Sequence, residues 1–250
     1  MKRELPLPAN PPRLDLLSGF ATVGAQRFAL TGNDRNLLLA LALARRGIAA
    51  DRLTEAMWPQ LASPAAYNRL YVALHRVRRR FAPFEIILQS GRSYRLDEGV
   101  VEVDLWSFAR LWDNPAGHAT QALADQLDAC LAERARRPLP EWMEPTLRRL
   151  EEFAQSVSTT LAERALASGE LERSMQYARE ALFRDECDER AWSVLIRSHL
   201  AAQDRIGALR EYRVYSRALM RELQAPPAWE LAHLLTECSI LADSPSHTTA

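Results

Sequence analysis

Residues 166–170 read Leu-Ala-Ser-Gly-Glu, and a related Leu-Ala-Ala-Gln-Asp stands 34 positions later at 200–204. The same offset pairs Leu161 with Leu195, Ser174 with Ala208 and Ala181 with Tyr215. Thirty-four residues hold two helices and their turns, and small side chains at matching positions let the paired helices approach closely. One such unit cannot bury its own apolar face, so units stack on one another. The surrounding sequence agrees. Residues 105–242 carry no convincing strand pattern, and helical runs fall at about 105–112, 117–134, 141–167, 171–183, 188–202, 205–223 and 227–241. Breaks are expected at Pro115, at Pro138-Leu139-Pro140, at Ser168-Gly169 and at Pro226-Pro227. This half predicts an all-α repeat of tetratricopeptide type, with residues 243–250 as a loose tail.

The first half is built differently. Residues 1–12 form a flexible lead-in, because Leu-Pro-Leu-Pro-Ala-Asn-Pro-Pro at 5–12 cannot form helix. Two strand-like stretches follow, Arg13–Phe20 and Thr22–Leu30, with Gly19 and Gly24 as turn or bulge positions. Thr31-Gly32-Asn33-Asp34 offers capping groups for a first helix that Gly47 closes. A second helix is expected over about Asp51–Trp58, with Leu53, Met57 and Trp58 on its apolar face. For the third, Ser63 and Pro64 supply N-cap and N1, and the helix runs to about Phe81 before Pro83. Glu85–Gln89 and Tyr94–Asp97 then flank Ser90-Gly91-Arg92-Ser93 as a hairpin. Strands, three helices and a hairpin are the element order of a winged helix-turn-helix. The whole chain therefore reads as mainly α with a small β component: a winged helix over 13–104 and a helical repeat domain over 105–242.

Charge divides at the same place. The total is balanced at 32 basic and 32 acidic residues, yet residues 1–105 hold 15 against 10 and residues 106–250 hold 17 against 22. A basic half calls for a polyanionic partner. The longest wholly apolar run, Leu37–Ala44, is far short of a membrane span. No export signal follows Met1-Lys2-Arg3, and the expected location is cytoplasmic. Cys130, Cys187 and Cys238 stand too far apart for a zinc knuckle or redox pair and read as buried small hydrophobes.

The third helix carries the chemistry. Leu70, Leu74, Val77 and Phe81 make one buried stripe. The opposite faces carry Asn68, Arg69, Tyr71, Val72, His75, Arg76, Arg78, Arg79 and Arg80, without one acid. A solvated face normally interleaves Glu with Arg for i,i+4 pairing, so its absence favours an external anion. Arg pairs bidentately with guanine, Asn with adenine, and an exposed Val meets a thymine methyl. Arg92 and Arg95 lie on or near the hairpin behind this helix.

Residues 13–104 resemble the winged-helix DNA-binding domain of response regulators. The resemblance rests on Val72-Ala73-Leu74-His75-Arg76-Val77-Arg78-Arg79, on Leu53 through Pro59, on Ser93-Tyr94-Arg95-Leu96 and on Val103 through Phe108. The second half resembles the bacterial transcriptional activator domain through Gly169-Glu170, Ala178–Leu182, Asp185–Glu189, Ala208–Tyr212 and Leu219–Pro227. Together they resemble regulators of the Streptomyces antibiotic regulatory protein (SARP) type. The chain departs from that pattern at Ser93, at Asp185-Glu186 and at Gln224.

The resemblance implies a transcriptional activator on direct-repeat promoter sites, with the helical half supporting self-association or contact with RNA polymerase. A homodimer on double-stranded DNA is expected because one short recognition helix reads few base pairs. By position it assigns base reading to Tyr71, Val72, His75 and Arg76, to which the helical wheel adds Asn68 and Arg79. Arg69, Arg78, Arg80, Arg92 and Arg95 are the phosphate and wing candidates. No cofactor, metal or membrane partner is expected. An enzyme is not expected either, since the chain lacks phosphate-binding glycine loops and GxSxG. His75, His118, His199, His233 and His247 are scattered without metal spacing, and packing accounts better for His199 and His233. The rival reading is an adaptor: a winged helix that no longer reads DNA, beside a helical concavity that binds a protein or effector. Trp112, Trp142, Trp192 and Trp229 could line such a site, although core packing also explains them.

Overall fold

The computed structural model describes residues 10–30, 32–227 and 231–233, with the side chains of 134–136 left aside. Thr31, Trp229, Cys238, His247, the residues before 10, the 243–250 tail and most of the 227–241 helix lie outside the described residues. The chain separates into two compact units. One is the chain up to Asp113 with Asp128–Arg148; the other is Asn114–Leu127 with the chain from Arg149 onward.

The first unit opens with three strands where the sequence suggests two: β1 (Arg13–Asp15), β2 (Phe20–Val23) and β3 (Gln26–Ala29). Gly19 and Gly24 cause the split, both at positive φ (77° and 58°), where a side chain is strained. Helix α1 (Gly32–Leu43) is buried on nearly all sides, since Leu37–Leu41 and Ala42 are all in the core. Next come β4 (Ile48–Ala49), α2 (Ala50–Met57) and α3 (Ser63–Phe81). Strands β5 (Ile87–Ser90) and β6 (Ser93–Leu96) form the hairpin, and β7 (Glu102–Val103) closes the β region.

Two sheets result, ordered β3-β2-β1-β7 and β4-β6-β5. In the first, Leu14 pairs antiparallel with Ala21 and parallel with Val103, which brings the far end of the winged helix back to its start. In the second, Tyr94 stands between Ile48 and Gln89. The core of this unit includes Leu14, Leu53, Leu70, Leu74, Phe81 and Ile87. Arg35 is buried with them, and its guanidinium donates to the carbonyls of Leu16, Leu17 and Arg137 at 2.7–3.0 Å. A buried cation is tolerated where its donors are satisfied this way.

The helical part runs α4 (Asp104–Leu111), α5 (Pro115–His118), α6 (Gln121–Arg136), a 3-10 turn at Glu141–Met143, α7 (Glu144–Ala167), α8 (Leu171–Arg184), α9 (Glu189–Ala201) and α10 (Arg205–Glu222). The break expected at Pro115 falls just before it: α4 ends at Leu111, Asn114 caps Gly117 at 3.0 Å and Pro115 starts the short α5. In the second unit the 34-residue offset is visible in the backbone. Gly169 and Gln203 are both left-handed, at φ 76° and 61°. The Glu170 amide donates to Ala165 and the Asp204 amide to His199, each at 2.8 Å. Ala162, Ala178, Ile196 and Ala208 are fully buried with Tyr215. The buried Ser174 hydroxyl donates to the Ala162 carbonyl, and Ser198, 2.9 Å from it, donates to Val194. Small residues let α9 lie against both α8 and α10, and their hydroxyls stay paired.

Candidate nucleic-acid interface

Helix α3 starts and stops where the sequence indicates, but its start works differently. Ser63 makes no capping bond, since the N-cap position is Ala62 and no side chain caps it. Pro64 remains at the start, where the missing N–H costs nothing. The core stripe includes Ala66 and Ala73 as well as Leu70, Leu74, Val77 and Phe81. Most of the opposite surface is accessible. Asn68, Arg69, His75 and Arg79 are exposed, and Tyr71 and Val72 retain 53% and 60% of their accessible surface. Tyr71 and Val72 therefore keep half or more of their surface open to a partner.

The arginines of this face differ in their engagements. Arg69, Arg79 and Arg95 make no side-chain hydrogen bond or ion pair among the described residues. Arg78 is half-buried and only 3.5 Å from the Ile87 carbonyl. Arg80 donates to the Ala29 carbonyl at 3.0 Å and lies 4.2 Å over the Phe28 ring, so it packs on β3. Arg76 requires a correction to the picture of an unengaged face. Its Nε is 2.7 Å from both carboxylate oxygens of Asp34 on α1, and Asp34 is buried. That carboxylate holds the Arg76 guanidinium above its ordinary pKa. Half of the Arg76 side chain is still accessible. Arg92, in the β5–β6 turn, donates to the Tyr67 hydroxyl at 3.1 Å and approaches Asp51 at 3.5 Å. Arg95 projects from β6 beside it and is exposed.

Asp34, Asp51 and Tyr67 escaped sequence reasoning. Tyr67 stands one turn before Tyr71, and that i,i+4 spacing was the available signal. The two carboxylates are 42 and 41 residues from their arginines, and no local pattern links them.

Other candidates resolve more simply. Among the described residues no cluster of His, Cys, Asp and Glu could hold a metal ion. His118 and His233 are exposed, so packing does not account for His233. His199 is 2.9 Å from Asp204. Trp192 is core, donating from Nε1 to the Glu186 carbonyl, while Trp112 and Trp142 are half-buried. Cys130 and Cys187 are only half-buried, not the fully enclosed residues expected. Burial pushes the Cys130 thiol up to about 12. No described helix is long and apolar enough to cross a membrane.

In the second unit α10 shows a second arginine-rich face. Arg210, Arg213 and Arg217 are exposed between Ile206, Leu209 and Met220, with Ile206 74% accessible. Glu163, Arg190 and Arg197 border a cavity of about 350 Å³ between α7 and α9, where Arg190 is paired with Glu163 at 2.9 Å.

Comparison with known proteins adds three findings. No functionally curated protein matches the chain. A solved structure of Mycobacterium tuberculosis EmbR in complex with a low-affinity phosphopeptide shares the fold, at a TM-score of 0.68 and 20% identity. The alignment covers 94% of this chain and 66% of that one, so the chain spans just under two thirds of its length. Residues 103–238 match the family profile of the bacterial transcriptional activator domain. With that match over more than half of its length, the chain belongs to the bacterial transcriptional activator domain family.

Proposed function

We propose that this chain is a transcription regulator of the SARP type, an activator that reads double-stranded DNA in sequence through α3 and binds direct repeats at promoters. The observation that carries the reading is the acid-free exposed face of α3, with Asn68, Tyr71, Val72, His75 and Arg79 accessible together. A helix with that mixture fits a major groove: amide and guanidinium groups meet base edges, and Val72 meets a thymine methyl. Arg69, Arg78, Arg80, Arg92 and Arg95 surround it as phosphate ligands that set register. Arg76, bound to Asp34, can still reach a base or phosphate with its accessible half. The helical half supports self-association or contact with RNA polymerase.

The test is selection of bound fragments from random double-stranded DNA at two salt concentrations, with Asn68→Ala/Arg79→Ala as comparison. A repeated motif should be enriched by the intact chain and lost with the double substitution. Affinity for that motif should fall steeply with salt, because each neutralised phosphate releases counterions. Failure to enrich any motif at either salt would sink the reading. One observation favours the adaptor alternative: the arginine and apolar face of α10 is suited to an acidic protein surface. Tight binding of a protein through α10, with DNA binding absent or indifferent to sequence, would move the function there.

A further inference from the structure

The wing carries a single arginine at its tip, and that arginine is tied to two helices. The backbone is fixed first: the Ala50 amide at the start of α2 donates to the Arg92 carbonyl at 2.9 Å. The side chain is held as well, although it is 73% exposed. Its Nη2 donates to the Tyr67 hydroxyl at 3.1 Å and lies 3.5 Å from Asp51 Oδ1. The guanidinium carbon stands 5.4 Å from the centre of the Tyr67 ring. Tyr67 in turn stacks on Tyr71, with centroids 6.4 Å apart and planes at 27°. Thus α2, the wing and α3 converge on one cation, and the aromatic pair continues into the base-reading face.

An arginine at the tip of a hairpin ordinarily has several open rotamers and loses them on contact with a ligand. Here Tyr67 removes that freedom in advance. The phenol accepts a hydrogen bond and offers its ring face, while Asp51 is too distant and too exposed to fix the guanidinium alone.

We propose that Tyr67 is a positioning residue for DNA engagement: it locks Arg92 of the wing against α3, so that wing and recognition helix meet the duplex as one surface. This rests on the DNA reading above. It assigns Tyr67 no base contact of its own; its effect passes through Arg92.

The probe is the duplex enriched from the random library by the intact chain, and the variants are Tyr67→Ala, Tyr67→Phe, Arg92→Ala and the double Tyr67→Ala/Arg92→Ala. Tyr67→Ala and Arg92→Ala should each weaken binding about tenfold, the order of one charge-assisted contact. The double variant should bind within about twofold of Arg92→Ala, since coupled residues do not add. The dependence of log affinity on log salt should become shallower by about one in all three. Tyr67→Phe keeps the ring, loses the acceptor and should fall between Tyr67→Ala and the intact chain; it remains informative even where Tyr67→Ala folds poorly. Losses that multiply in the double variant, an unchanged salt slope in Tyr67→Ala, or Tyr67→Phe binding as tightly as the intact chain, would overturn the proposal while leaving the DNA reading intact. If the intact chain enriches no duplex, the DNA reading falls and this assignment falls with it.

Discussion

Arg76 and Arg79 look equivalent on a helical wheel, yet they do different work in the fold. Removing Arg76 leaves the buried Asp34 carboxylate without its cation, and stranding a buried charge is costly even when its partner is half exposed. Arg76→Ala should destabilise the first unit by about 2 kcal/mol, discounted for that exposure. Arg79→Ala should stay within about 0.5 kcal/mol of the intact chain. Denaturant unfolding of both variants checks this, and equal effects would contradict it. Asp104 gives a second residue-scale expectation. It is buried, accepts from the Leu17 and Leu105 amides at 3.0 and 2.8 Å, and burial still pushes it up to about 6. A carboxyl raised by folding keeps a proton that the unfolded chain releases, starting near its ordinary value of about 4. Its contribution is therefore fully present below about pH 4 and is lost as pH rises through about 6, by about 3 kcal/mol in all. The stability of the intact chain minus that of Asp104→Asn should fall across this window. A difference that is flat with pH would show that Asp104 titrates as it does in the unfolded chain.

At the scale of elements, the two turns related by the 34-residue offset make a matched experiment. Gly169 and Gln203 adopt the same left-handed backbone, but only one is glycine. Nothing lies within 4 Å of a Cβ added at Gly169, so Gly169→Ala should cost only backbone strain, about 1 kcal/mol. Gln203→Gly should return a similar amount of stability, and unfolding of the second unit measures both. Loss of stability in Gln203→Gly would mean that the Gln side chain contributes more than its backbone costs. This pair also shows what could be read from the sequence. The repeat was legible because small residues recur at fixed spacing, and α3 was legible because Pro64, a four-three-four apolar stripe and Pro83 mark its ends. Strands β4 and β7 were not, since two residues cannot display an alternation and their pairing comes from Tyr94 and Leu14, distant in sequence. The exposed face of the candidate site was legible for the same periodic reason as the core beneath it. What engages its arginines was not, because Asp34 and Ala29 come from other elements.

At the scale of the molecule, the proposed DNA reading gives one 19-residue helix only a few base pairs to read, so on that reading specificity would require a second copy on the same DNA. The symmetry of the site then constrains the contact between copies. The proposed direct repeats are related by translation and rotation along the duplex, so copies bound to them would meet head to tail through two different surfaces. An isologous contact through the α10 face would set Arg210, Arg213 and Arg217 against themselves, and like-charge repulsion disfavours it. The charge split instead offers a basic half of one copy to an acidic half of the next, with 15 basic against 10 acidic residues in 1–105 and 17 against 22 in 106–250. Two chains should therefore load cooperatively on the selected duplex, with repeats spaced by about 10–11 base pairs so that both face the same side. Inserting about five base pairs between the repeats turns the second site to the opposite face and should lower affinity about tenfold or more, while about ten should restore most of it. Gel-shift titration of the three spacings reads this directly. Affinity indifferent to spacing would mean that each copy binds alone, and the specificity of the regulator would then have to come from a single recognition helix and its wing.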